Sequence, residues 1–482
     1  MANRRAGAAE KRKLSIAGAS TATVSAWEDD PGSGVRVTRP VPNLAAKPLA
    51  FAFPKPAPPA GMYQPGTADF RYWTAAEALR RGADFWAKRV PLSRWEVGQV
   101  LKVILDEGVD LNAYYDRKAL NFFHGPSHTG TVYSGESPDI VCHEMGHAVL
   151  DSFKPQLCGA ASHEAAAFHE SFADMSAILS ALQLPSVRNA ILTDTGGHLY
   201  HSSRLSRLAE QLGAAIRAQQ PDAVDPDCLR NAVNSFTYQN PVNLPQSAPA
   251  SQLSSEPHSF SRVFTGAFFE SLAGMVAATA ANENAPTENE LASVANDLAG
   301  IVVAGVKAAP VVSNWYAEVA AAMIRAAAAV KAAYVPVLKA TFVRRSILSM
   351  HAASATETLQ KSVAAAAAAT RTASEPLASV ALTASQYGLD KPLLVQTPSQ
   401  SRAFLATSAA PDASPIEPDS AVTAARAFVD DLFRQGRVDY NKVGRPEMRL
   451  EQRRRLRTHR LVEESSVVRL ERLLFDCGLC RR

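Results

Sequence analysis

The 482-residue chain has only five cysteines, Cys142, Cys158, Cys228, Cys477 and Cys480, too few and too unevenly spaced to frame a disulfide-stapled secreted fold. It has little excess charge: a net +4 on this length implies no nucleic-acid partner and no membrane-surface partner. It lacks a long apolar run, because Lys307 and Pro310 interrupt the best stretch around Ile301 and Val302, short of the roughly 18 residues that suggest a membrane span. Near the amino terminus, Arg4, Arg5, Lys11, Arg12 and Lys13 precede only Leu14 to Ala19 before polar Ser20, which is not the apolar core of a secretory signal. The expected location is therefore the cytoplasm, with export by a non-classical route as the alternative. What is present, 47% hydrophobic and 20% charged residues, describes a soluble globular protein long enough for two or three domains.

One stretch organises the rest, Ile140-Val141-Cys142-His143-Glu144-Met145-Gly146-His147. Residues i and i+4 of a helix stand one above the other, so His143 and His147 can turn ring nitrogens to one metal ion while Glu144 stands beside it. Two neutral imidazoles suit zinc, although solvated histidines on an amphipathic helix give the same pattern. A catalytic zinc needs a third protein ligand, and Glu170 on a second helix is preferred for it. Phe168, Phe172, Met175, Leu179 and Leu182 recur at helical spacing, which leaves Glu170 and Asp174 together on another face. Asp174 can then accept a hydrogen bond from a ligating histidine and fix its tautomer. Glu164 and His163 remain open as alternative third ligands.

These residues resemble the thermolysin-like gluzincins, zinc endopeptidases with H-E-x-x-H on one helix and E-x-x-x-D on the next. The likeness extends to Asn112-Ala113-Tyr114-Tyr115, similar to the edge strand that holds an extended peptide by its backbone and its asparagine. It extends also to Leu229-Arg230, similar to the pair whose arginine binds a substrate carbonyl, and to His258-x-x-Ser261, similar to the helix start that brings in a transition-state histidine. The metzincin pattern is excluded, since Leu150 and Phe153 stand where glycine and a third histidine belong. No Gly-x-Met-Glu-Asn-like segment of an aminopeptidase is present.

The resemblance implies an α+β fold over residues 62–350, a bilobed gluzincin with a mixed α/β N-terminal lobe (61–182, carrying the zinc helix) and a mainly helical C-terminal lobe (183–350). Residues 1–60, rich in Pro, Ala, Gly and charge, read as disordered. Phe70 to Val90 reads as an amphipathic helix, Trp95 to Asp106 as a second amphipathic piece, and Leu111 to Phe123 as a strand pair turning at Asp116-Arg117-Lys118. Ser137-Pro138 supplies a cap and first-turn proline for the zinc helix. A loop-rich stretch (185–257) carries one helix near Leu205 to Gln219. Helices follow near 263–280, 288–306, 313–333 and 335–348, separated by Pro286, Pro310 and Pro336. Residues 351–482 read as linkers, at Ala364 to Ala369 and at 407–418, plus a small accessory module of unknown role. Its elements are strands within Pro392 to Leu405 and Leu461 to Phe475 and a helix over Val422 to Gln435. Cys477-x-x-Cys480 is a lone pair, and Arg453-Arg454-Arg455 reads as a solvated face.

The activity implied is cleavage of a peptide or protein substrate before apolar residues. His143, His147 and Glu170 would hold zinc, Glu144 would act as general base and His258 as oxyanion donor. Asn112, Ala113 and Arg230 would bind substrate, and Asp174 would support His143. The family's tyrosine before the third ligand is missing between Phe153 and Glu170, and His163 is the candidate substitute. Asp139 matches one ligand of the family's calcium cluster, whereas Pro185 to Leu192 offers no acid, so a calcium site is not expected. The alternative function is a catalytically weak or inactive gluzincin scaffold that acts as a binding or self-processing module. The oligomeric state is open.

Overall fold

His163–Ala181 is buried along its whole length and forms the centre of the molecule. Ser162 starts it by accepting from the Ala165 amide, the cap expected where four backbone N–H groups lack helical partners. Pro138–Phe153, the helix with both histidines, packs against it; Ser137 caps the Ile140 amide and Pro138 takes the first helical position. The two meet at Gly146, where an added Cβ would lie 2.7 Å from Ser176 Cβ and 2.8 Å from Ala173 Cα. Backbone touches backbone there, so the crossing requires a glycine.

The computed structural model describes residues 22–128, 130–356, 376–400, 419–440, 443 and 456–477. The fold is mixed α+β. Ala68–Ala87 packs on the histidine helix, and a five-stranded sheet runs in the order Phe475–Asp476, Ala113–Tyr115, Ala119–Phe122, Val100–Ile104, Ala50–Ala52. The central helix meets Pro257–Thr279 on another side. Glu288–Ala308, Trp315–Val330 and Tyr334–Arg344 complete that half, each close to the expected boundaries. By length and apolarity Glu288–Ala308 could cross a membrane, but Leu291, Val294, Leu298, Ile301 and Val302 are buried in the protein core. One continuous apolar cluster runs through all of this, from Leu49 to Ala353, and also takes in Phe475 and Cys477.

Three readings of the sequence change. Residues 22–60 are not a disordered leader: Thr23–Trp27 pairs with Arg36–Pro40, Ala50–Ala52 joins the main sheet, and Val24 and Ala26 are fully buried. Their order comes from distant partners, such as Glu136, which accepts from the Trp27 indole at 3.1 Å. Within Trp95 to Asp106 the chain forms the strand Val100–Ile104, with Leu101 and Val103 buried at a period of two. The loop-rich stretch contains the unforeseen helix Pro185–Thr195, ended by Gly196 in the left-handed conformation.

The accessory module has its own sheet, in the order Ala378–Leu382, Leu393–Thr397, Val468–Arg472, His459–Glu463, Val438–Asp439, and a helix, Ala421–Arg434. Its separate core includes Leu393, Val395, Phe428, Val429 and Leu461, together with Ala161 and Ala166 beside the central helix. Asp431 docks it, accepting from Ser255 at 2.8 Å and from Gln246 at 2.6 Å. Cys480, Arg453 to Arg455, both linkers and residues 1–21 lie outside the described residues.

Candidate metal centre

The helix pair places three donors together. Glu170 Oε2 stands 3.4 Å from His143 Nε2 and 3.6 Å from His147 Nε2, all deeply buried. Among the described residues, His143 Nε2, both His147 ring nitrogens and Glu170 Oε2 have no hydrogen-bond partner. Buried polar atoms are normally satisfied, so a convergent group of orphans points to something that binds between them. His143, His147 and Glu170 can bind a metal ion.

Glu164 and His163 are engaged elsewhere. Glu164 accepts from the Tyr238 hydroxyl at 2.8 Å and the Tyr316 amide at 2.6 Å, and His163 meets Asp431 of the accessory module at 2.9 Å. His163 therefore does not stand in for the missing tyrosine. Asp174 Oδ1 lies 3.0 Å from His143 Nδ1 and accepts from Arg230 Nη2 at 2.9 Å. Burial works against the Asp174 carboxylate, but the Arg230 guanidinium and His143 outweigh it and hold the group well below the usual range. Arg230 is thus brought to the metal group, with part of its fork already committed to Asp174.

Glu144 is fully buried, and neither carboxylate oxygen has a hydrogen-bond partner among the described residues. Burial raises it well above the ordinary carboxylate value; the neighbouring Cys477 and Glu170 add to the effect and His143 opposes it. A carboxylate so placed is poised to take a proton. His258 sits beside the group, its Nε2 3.3 Å from Glu170 Oε2. Its Nδ1 meets Glu256 Oε1 at 2.7 Å, which orients the ring. Burial disfavours the Glu256 anion, yet His258 brings it down to about 2. Glu256 was not singled out in the sequence; a carboxylate two residues before the histidine, at the helix cap, is the signal that could have found it.

The edge expected to take a peptide is already paired. Phase is set by Phe475 opposite Tyr115 and Asp476 opposite Tyr114, antiparallel, and the Cys477 amide donates to the Ala113 carbonyl at 2.9 Å. Asn112 is buried and accepts from the Ala113 amide at 2.8 Å. The Asp476 carbonyl meets His258 Nε2, and Arg437 grips the Asp476 carboxylate at 2.8 and 3.0 Å. Phe475 stacks on His169 and His147, with ring centroids at 4.0 and 4.9 Å. Full burial of such a ring is worth about 1.5–3 kcal/mol. The Cys477 sulfur, a His143 ring nitrogen and a Glu144 oxygen lie within 4.8 Å of one another. Beside this strand a cleft of about 530 Å3 remains, lined by Asn112, Leu229, Arg230, His258, Arg262 and Cys477 among others.

Asp139 is joined by Asp29 and Asp30, which the sequence reading had assigned to disorder. All three are buried. Their oxygens are engaged: Asp30 accepts from Ser137 Oγ at 2.6 Å and from the Gln211 amide at 2.9 Å, and Asp139 from the Ala209 amide at 3.1 Å. No family model matches the chain, and neither does any curated protein.

Proposed function

We propose that the protein is a zinc-dependent endopeptidase of the thermolysin-like gluzincin type, acting on peptide or protein substrates before apolar residues. The observation that carries this is the donor spacing. Two ligands on a tetrahedral ion with bonds of about 2.0–2.1 Å lie roughly 3.3–3.4 Å apart, and the Glu170 oxygen stands 3.4 and 3.6 Å from the two histidine nitrogens. A bound zinc ion supplies an activated water and polarises the scissile carbonyl.

The chain's own residues do the rest. Glu144 takes the proton of the attacking water and returns it to the leaving amine. His258, held by Glu256, donates to the oxyanion. Ala113 and its strand align the peptide, Asn112 stands at the end of that strand, and Arg230 keeps Asp174 ionised so that Asp174 fixes the tautomer of His143. Apolar Ile216, Val224 and Leu229 in the remaining cleft suit an apolar side chain after the cut.

Digestion of a peptide library with and without a chelator, together with metal analysis, tests the reading. Glu144→Gln is expected to retain the metal and lose roughly 100- to 10,000-fold in kcat. His258→Ala loses about 100-fold or more, also with metal retained. Retained cleavage in Glu144→Gln, or cleavage indifferent to chelation, would overturn it.

A further inference from the structure

The peptide groove contains a piece of the chain itself, and that piece carries a metal-binding atom to the centre. Phe475 and Asp476 pair with the receiving strand in the sense an extended substrate would use, and the Cys477 amide continues the ladder to Ala113. The Asp476 carbonyl already occupies the donor of His258, the group assigned to the oxyanion. One residue further, the Cys477 sulfur lies within 4.8 Å of a His143 ring nitrogen and of a Glu144 oxygen. Beside it Glu144 is buried with both carboxylate oxygens unpartnered among the described residues, and His143 is shared with the group that it forms with His147 and Glu170.

We propose that Cys477 is the fourth ligand of the metal, delivered on a substrate-like strand of the chain's own accessory module, and that this arrangement holds the peptidase latent. Thiolate sulfur joins histidine and carboxylate readily on zinc, and a closed four-ligand site has no open position for catalysis. Ligation breaks the S–H bond, forms one metal–sulfur bond and releases the proton to solvent. The strand is anchored for the task by the Phe475 ring on His147 and His169 and by the Arg437 grip on Asp476. Activation then requires that Phe475 to Cys477 leave the edge strand, by displacement or by removal of the module.

This inference rests on the metallopeptidase reading of the same groove, and the test separates the two. The full-length chain is loaded with cobalt(II), and its near-ultraviolet absorption is recorded for the thiolate-to-cobalt band. The unmodified protein is expected to show that band. Cys477→Ser and Cys477→Ala are expected to lose it while still binding one cobalt per chain, and Cys480→Ser is expected to keep it. With zinc, both Cys477 variants should cleave a generic peptide at least roughly ten-fold faster, as when the competent state is a minor fraction of the unmodified chain. A stoichiometric cobalt protein without the band overturns the ligand assignment, even if it is an active peptidase. A cut between Asp476 and Cys477, seen by mass spectrometry, overturns it too, because the strand would then be a substrate. A band that is present and lost as expected, with no cleavage by any variant, upholds the ligand and rejects the peptidase. Failure to bind cobalt rejects both.

Discussion

Two groups of buried carboxylates flank the histidine helix, and they respond to burial in opposite ways. At its first turn, Asp139 faces Asp29 and Asp30: burial and then mutual repulsion push Asp139 well above the ordinary range, and burial carries Asp30 up to about 6. One turn further, His143 is backed by Asp174, where burial is overcome by Arg230 and His143 and the acid stays ionised. Both groups are equally hidden from water. The counter-charge decides the state: Asp139 has other acids beside it, whereas Asp174, across from His143 on the central helix, has Arg230.

The largest way to break this contrast is to remove the cation. Arg230→Met leaves Asp174 buried without its guanidinium, and unfolding by urea should show a loss of about 3–5 kcal/mol. Next is Asp174→Asn, which keeps the shape and removes the charge behind His143. Metal affinity, measured by chelator competition, should fall about 10- to 100-fold. Smaller again is Asp139→Asn. In the unmodified protein the unfolded chain gives up these protons first, near pH 4, while burial keeps Asp30 protonated to about pH 6 and raises Asp139 well above its ordinary range. The protonated acids therefore contribute stability that is complete below pH 4 and is lost as the pH rises through their raised folded values. The variant should melt with the wild type at pH 4 and be more stable than it at pH 8. The least effect is expected from calcium. The Asp30 and Asp139 oxygens already accept from Ser137, Gln211 and Ala209, so millimolar calcium should move the melting midpoint by under about 1 °C. A shift of several degrees would show that the acids form a cation cage.

The part of the site that could be read in the sequence is the part whose geometry is local. His143, Glu144 and His147 share one helix and Glu170 and Asp174 another, so a spacing of four residues was enough to place them. The proline-punctuated helices after Pro257 were legible for the same reason, as their 3.6-residue pattern starts and stops at visible signals. Val24, Ala26 and Trp27 were hidden because their order depends on Glu136 and on the helix Ala68–Ala87, far away in sequence. Phe475 to Cys477 was more hidden still. A two-residue strand has no periodicity, and its register is set by the Ala113 backbone rather than by any residue near it. Cys477 was visible only as half of a C-x-x-C pair, while its position beside His143 came from the fold.

The close contact at Gly146 bears on which ions the centre can hold. His143 and His147 lie on either side of it in the chain, Glu170 and Asp174 come from the opposing helix, and Gly146 faces the Ala173 backbone and the small Ser176 side chain at close range. Only a serine stands at that crossing, which leaves little that could repack and let the helices drift, so the distance between the two sets of ligands works as a fixed gauge. Under the proposed function, an ion with bonds of about 2.0–2.1 Å would span that gauge, while one that wants about 2.3–2.6 Å would have to pry apart two helices at the middle of the molecule. Selection by size would in this way be built into a missing methyl group.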